Sequence, residues 1–208
     1  MAAMSDQTPL PLELPVVDAE PRERADAQRN RGKVLCAAER LFADEGVENV
    51  SMDAIAAAAG VGKGTLFRRF GDRAGLARAL LHERTRQMQE AVIRGPAPLG
   101  PGVPPQLRLK AMASAQLTLL DDHADLIAAG EGGRPGARFK TAPYEFLRLH
   151  VGVLVREAEP DADWEMLTDL LLAPLNAESF LYWRRERGFS VDRILAAFEI
   201  LVDRLLPY

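Results

Sequence analysis

Cysteine is nearly absent. Cys36 is the only one in 208 residues, so no intrachain disulfide can form and the chain reads as a protein of a reducing cytoplasm. Aromatic residues make up only 6%. His82 and His123, with the scattered acids, show no metal-ligand spacing. No apolar run reaches the ~18 residues that a membrane span requires, and no signal-peptide pattern opens the chain. Period-two alternation, internal repeats, Gly-x-Ser-x-Gly and Cys/His pairs are missing as well. GVGKGT, from Gly60 to Thr65, shares glycines and a lysine with phosphate loops. It lacks the first glycine of GxxxxGK[ST], a preceding strand, and a Ser or Thr directly after the lysine. These absences predict no catalytic residues, no metal, no cofactor and no membrane association.

Helical patterning fills what remains, and the chain is expected to be all-α. Val34, Leu35, Ala38, Leu41 and Phe42 recur at the spacing of one helix face, so residues 26–45 read as an amphipathic helix ended by Gly46. Ser51 is a good N-cap for MDAIAAAA, which stops at Gly60. A short helix follows at 63–69. Asp72 caps a longer one over 73–94. The run GPAPLGPGVPP, from Gly95 to Pro105, cannot be helical and marks a boundary. Beyond it, helices are expected near 105–121, 123–129, 142–158, 162–187 and 191–206, with a glycine-rich loop at Gly130–Gly136. Residues 1–24, rich in proline and acid, read as a disordered tail. Three parts follow: that tail, an N-terminal unit over 25–94 that includes the linking helix 73–94, and a larger C-terminal unit over 105–208.

Net charge is −4, unevenly spread. Residues 25–95 hold twelve basic and nine acidic side chains, whereas 96–208 hold twelve and sixteen. A mildly basic segment in an acidic chain faces either an anion or simply water.

AGVGKGTLFRRF, from Ala59 to Phe70, favours the anion. Two short helices joined by a tight glycine turn make a helix-turn-helix. Lys63 stands in the first turn of the second helix, where the macrodipole disfavours cations. Gly64 inside that helix costs about 1 kcal/mol relative to alanine. Both choices weaken an isolated helix and suit one whose N-terminus meets phosphate and whose backbone enters a DNA groove. Thr65 is placed for a base edge. Leu66 and Phe70 anchor the helix to its domain. Arg68, Arg69 and Arg73 are spaced for flanking phosphates, and Ser51 and Met52 for the DNA backbone at the start of the preceding helix.

VLCAAERLFADEGVENVSMDAIAAAAGVGKGTLFRRFGDRAGL, within Arg31–Leu81, resembles the DNA-binding domain of TetR-family transcriptional regulators. The resemblance implies a homodimeric repressor on a palindromic operator. In it, three N-terminal helices carry the helix-turn-helix, and a larger C-terminal domain binds a small organic ligand and forms the dimer. Gly62 stands where the family often has Ser or Thr, Phe67 where it usually has Tyr, and Arg69 where it often has His. By the same resemblance, the last two helices of each subunit pack into a four-helix interface.

The C-terminal residues themselves are less specific. The helix over 142–158 is apolar nearly all round and is expected to be central and buried. Its His150 reads either as a core histidine with a hydrogen-bonded partner or as a ligand contact. Pro174 is expected to kink the helix over 162–187. Candidate walls of an apolar ligand cavity are Met112, Gln116, Phe139, Tyr144 and Leu147, with His150, Trp164, Leu167, Leu171 and Phe180. The loop at Gly130–Gly136 is placed to act as its portal. The last helix carries two apolar stripes, Ile194–Phe198–Leu201–Leu205 and Leu195–Val202–Leu206, one for the domain and one for a partner subunit. Trp183, Ile194, Phe198, Leu201 and Leu205 are the expected interface. Control by a protein partner, or a helical interaction module without ligand, is the alternative to ligand control.

Overall fold

The computed structural model describes residues 21–47, 49–131 and 136–207. Most of the tail read over 1–24 and Gly132–Pro135 of the glycine-rich loop lie outside these residues. The described residues are helical, and none of their helices is long and apolar enough to cross a membrane.

Helix α1 (Pro21–Glu45), α2 (Met52–Ala59) and α3 (Lys63–Phe70) pack around a first core. Val34, Leu35 and Ala38 from α1, Ile55 and Ala56 from α2, and Leu66 from α3 are buried there. The caps follow from local chemistry. Ser51 Oγ accepts from the Ala54 amide at 3.1 Å. Gly60 takes the left-handed conformation at φ 64° and closes α2 through its amide to Ala57 O, a geometry that costs a side-chain-bearing residue. The Val61 amide then donates back to Ala56 O at 3.0 Å.

Helix α4 (Arg73–Arg94) joins the two halves. Asp72 Oδ1 accepts from the Gly75 amide at 2.7 Å and starts it. Leu76 and Leu80 belong to the first core, while Met88 packs against the second. Arg84 of α4 pairs with Glu39 of α1, so the linking helix is tied to the N-terminal unit by charge as well as by packing.

The second core is built by α5 (Pro105–Glu131), α6 (Ala142–Ala158), α7 (Trp164–Leu172), α8 (Ala177–Leu181) and α9 (Val191–Leu205). Leu109, Met112, Leu117, Leu120, Val151, Leu154, Leu171, Phe180, Phe198 and Val202 meet in it. Gly152 permits the close crossing of α6 and α7: a Cβ there would lie 3.2 Å from the Trp164 ring.

Several expectations are corrected. The two helices expected at 105–121 and 123–129 are one, because Leu117, Leu120 and Ala124 continue a single buried stripe across Asp121–Asp122. Asp121 instead pairs with Arg184, and Asp125 with Arg185. The helix expected over 162–187 is broken after Leu172, and α8 runs into a π turn at Tyr182–Glu186. Pro174 removes an amide at the break, and Asn176 restarts the chain by accepting from the Ser179 amide at 3.0 Å. The helix expected to be buried all round, α6, leaves Leu149 70% and Val153 55% exposed. The two stripes expected on α9 are one broad arc: Ile194, Phe198, Val202 and Leu206 are all buried in the chain's own core. Ile194 and Phe198 are therefore not surface available to a partner.

Candidate nucleic-acid interface

Helix α3 is held by one side and offers the other. Leu66 is buried and Phe70 half-buried, with the Arg31 guanidinium 5.8 Å from the Phe70 ring centroid. Gly62, Lys63, Gly64, Thr65, Phe67, Arg68 and Arg69 are exposed. At 100° per residue, Gly64, Thr65 and Arg68 share the outermost face, with Phe67 and Arg69 on its two flanks. A Cβ on Gly64 would meet no atom within 4 Å. Glycine here thus serves nothing inside the protein; it keeps the outer face flat. Gly62 provides no side-chain cap, so the first amides of α3 are left for an external acceptor.

The cations around this face are not idle. Lys63 pairs with Asp53 of α2. Arg69 Nη1 donates to Ala27 O of α1 at 2.9 Å, and Arg73 Nη1 to Val50 O at 3.5 Å. Nothing in the sequence pattern marks Asp53 or the Ala27 carbonyl, which hold Lys63 and Arg69 beside the outer face of α3. Ser51 keeps its exposed position but spends its hydroxyl as the cap of α2. The Met52 side chain is buried in the first core and offers no side-chain contact to DNA.

Replacing Arg68 or Arg69 with Ala is expected to weaken binding to every DNA sequence alike. The slope of log K against log salt should fall by about one for each phosphate no longer neutralised. Thr65→Ala should change the preferred base at one position per half-site by about 1–3 kcal/mol. Fluorescence anisotropy at several salt concentrations, on two operators differing at one base, separates the two behaviours.

The expected ligand walls fall into two groups. Met112, Gln116, Leu147, Leu171 and Phe180 are buried in the second core, with Tyr144, Trp164 and Leu167 packed beside them. Phe139 stands outside it, 48% exposed, edge-on to Tyr144 with centroids 5.0 Å apart. The Tyr144 hydroxyl donates to Asp169, which also accepts from Arg148 at 3.1 Å. Two open clefts lie elsewhere: about 370 Å³ beside Gln87, Glu90 and Arg94, and about 630 Å³ between α1 and α2 around Cys36.

His150 stacks on Phe146 at 6.3 Å, and its buried Nε2 has no hydrogen-bond partner within the described residues, which goes against the first of its two readings, a core histidine with a partner. Burial, helped by the nearby Arg108 charge, lowers its pKa to about 4. The unfolded chain titrates near 6.5, so between these values it binds more protons than the folded one. Stability is therefore lost as pH falls from about 6.5 toward 4. Burial likewise lowers His123. Against a His150→Gln variant, which retains His123, the wild type should lose an extra ~2 kcal/mol between pH 7 and 4.5, read from urea midpoints.

Residues 34–80 match the family described as bacterial regulatory proteins, tetR family. Across 176 residues the chain is 26% identical to an HTH-type transcriptional regulator of Staphylococcus aureus strain MRSA252, covering 81% of this chain and 90% of that protein. A second such regulator, from strain USA300, is 49% identical over 53 residues, which span 26% of this chain and 29% of that one. The fold is similar to the crystal structure of a putative transcriptional regulator from Saccharomonospora viridis in complex with choline. Identity there is 21% and the TM-score 0.63, over 86% of this chain and 96% of that one.

Proposed function

Because the chain belongs to the TetR family of bacterial transcriptional regulators, we propose that it is a homodimeric repressor that binds a palindromic operator and is released by a small organic ligand. DNA binding belongs to the family; the symmetry, the sign of regulation and the ligand are the proposal. The observation that carries it is the outer face of α3. Gly64, Thr65 and Arg68 stand clear of the domain, Leu66 is buried behind them, and Lys63 and Arg69 are held beside them by neighbouring helices. One helix of eight residues buries too little for specific binding, so two copies related by a two-fold are required.

The dimer surface is assigned to the outward faces of α7 and α9. Met166, Leu170 and Ile200 are exposed there, and Leu201 and Leu205 of α9, with Trp183 of the π turn before it, are only partly covered. Support for a small ligand comes from the polar atoms left without partners inside the C-terminal half, and from a protein of similar fold whose structure holds choline. Control by a protein partner has its own observation, the uncovered Leu149 and Val153 on α6. The two are separated by thermal unfolding with small-molecule mixtures and with Leu149→Glu. Ligand control predicts that some mixture raises the melting temperature and weakens DNA binding, and that Leu149→Glu leaves both responses intact. The partner reading predicts no such mixture.

A further inference from the structure

Among the described residues, three buried side-chain atoms have no hydrogen-bond partner within the protein: Arg108 Nε, Gln116 Oε1 and His150 Nε2. Native interiors leave few such atoms, and each one requires a reason. Arg108 and Gln116 belong to α5, and His150 to α6, which packs against it. Arg108, Met112 and Gln116 follow one another at i, i+4 and i+8, so they share one face of α5. His150, on α6, lies close enough to Arg108 to feel its charge. Gln116 is only 8% exposed. Arg108 makes no ion pair among the described residues; its one hydrogen bond runs from Nη2 to the Val92 carbonyl at 3.3 Å. A partly buried guanidinium without a carboxylate is costly unless an anion joins it.

We propose that Arg108, Gln116 and His150 form the head-group end of the ligand site, and that the ligand is an organic carboxylate whose charge is taken by Arg108. This rests on the ligand-released reading above and fixes its chemical class. Arg108 supplies the charge through its free Nε–H. His150 donates Nε2–H to a carboxylate oxygen, and Gln116 Oε1, an acceptor about two turns of α5 away, takes a donor group elsewhere on the ligand. Met112, between Arg108 and Gln116 on the same face and fully buried, begins the apolar wall for the rest of the molecule.

The same guanidinium touches the linking helix. Val92 is fully buried in the last complete turn of α4, whose first turn follows α3. A carboxylate that draws Arg108 away from the Val92 carbonyl releases one hold on the end of α4, and so biases the spacing of the two recognition helices.

The test uses the full-length protein with octanoate and benzoate, against octanol, benzyl alcohol and choline. At about ten times Kd, a carboxylate should raise the melting temperature by roughly 3–5 °C, while the alcohols and choline should not. Arg108→Met should remove the response and Arg108→Lys keep part of it. In the wild type, histidine ring NMR should show the His150 titration midpoint rising as carboxylate is added, a readout that needs no variant to fold. Failure of both carboxylates to act on the wild type, a response that survives in Arg108→Met, or a His150 midpoint that stays fixed would overturn the proposal. If choline or an alcohol instead raises the melting temperature and releases selected DNA, ligand control stands and the carboxylate class falls. If no small molecule affects DNA binding, ligand control falls as well.

Discussion

Gly64→Leu is expected to abolish DNA binding while the protein melts no lower than the wild type. Gly64 lies on the outermost face of α3, and a Cβ there meets no atom within 4 Å, so the fold makes room for a side chain. Leucine also favours the helix over glycine by roughly 0.5–1 kcal/mol. In the complex the same side chain would stand between the α3 backbone and the groove floor. The phosphate interactions on either side, from Lys63 and Arg69, then cannot form together. Removing two or more charge-assisted hydrogen bonds of about 1.5–3 kcal/mol each weakens binding at least ~100-fold per half-site. Thermal unfolding and a gel shift on the same preparation check it. Undiminished DNA binding by Gly64→Leu would show that α3 is not the helix in the groove.

The second large effect concerns α9 and divides two neighbouring positions. Phe198 is 4% exposed in the chain's own core, and Ile200, two residues on, is 62% exposed. Phe198→Glu buries an unpaired charge and should cost about 4 kcal/mol or more, a large share of the ~5–15 kcal/mol that holds an ordinary domain folded. Ile200→Glu should change the stability of an isolated protomer by only ~0.5 kcal/mol. It puts like charges into a two-fold interface, however, and should weaken dimerisation by about 2–4 kcal/mol. Sedimentation velocity and thermal circular dichroism together read both: a Phe198→Glu that melts far below the wild type or is unfolded, and a folded Ile200→Glu near the 22.8 kDa of one chain. A Phe198→Glu that melts like the wild type, or an Ile200→Glu with the wild-type mass, would move the interface away from this face.

Local chemistry makes the N-terminal half legible. Ser51 and Asp72 are caps whose side chains accept from amides three residues on. Gly60 sits where a left-handed residue is needed. The oddities of α3, a lysine in its first turn and a glycine in its interior, already point outside the protein. The C-terminal half depends on long-range packing, which periodicity does not carry. Asp121 and Asp122 resemble the start of a helix, yet α5 runs through them; only the structure brings Arg184 within 3.2 Å of Asp121. Leu149 and Val153 are as apolar as Val151 and Leu154, and nothing in the pattern says which pair another helix covers. Two stripes on α9 merge because residues 100° apart on a helical wheel can share one broad buried arc. Nothing in the sequence pattern singles out Arg108. Its spacing with Met112 and Gln116 is visible there, but the missing counter-ion and the bond to the Val92 carbonyl belong to the folded state.

Selection of bound DNA from a random pool tests the central claim most directly. A dimer presenting two copies of α3 predicts one enriched palindrome, with half-sites about one helical turn apart. Binding to it should fall steeply with salt. Enrichment of a single asymmetric site, or no enrichment over the starting pool, would contradict the account.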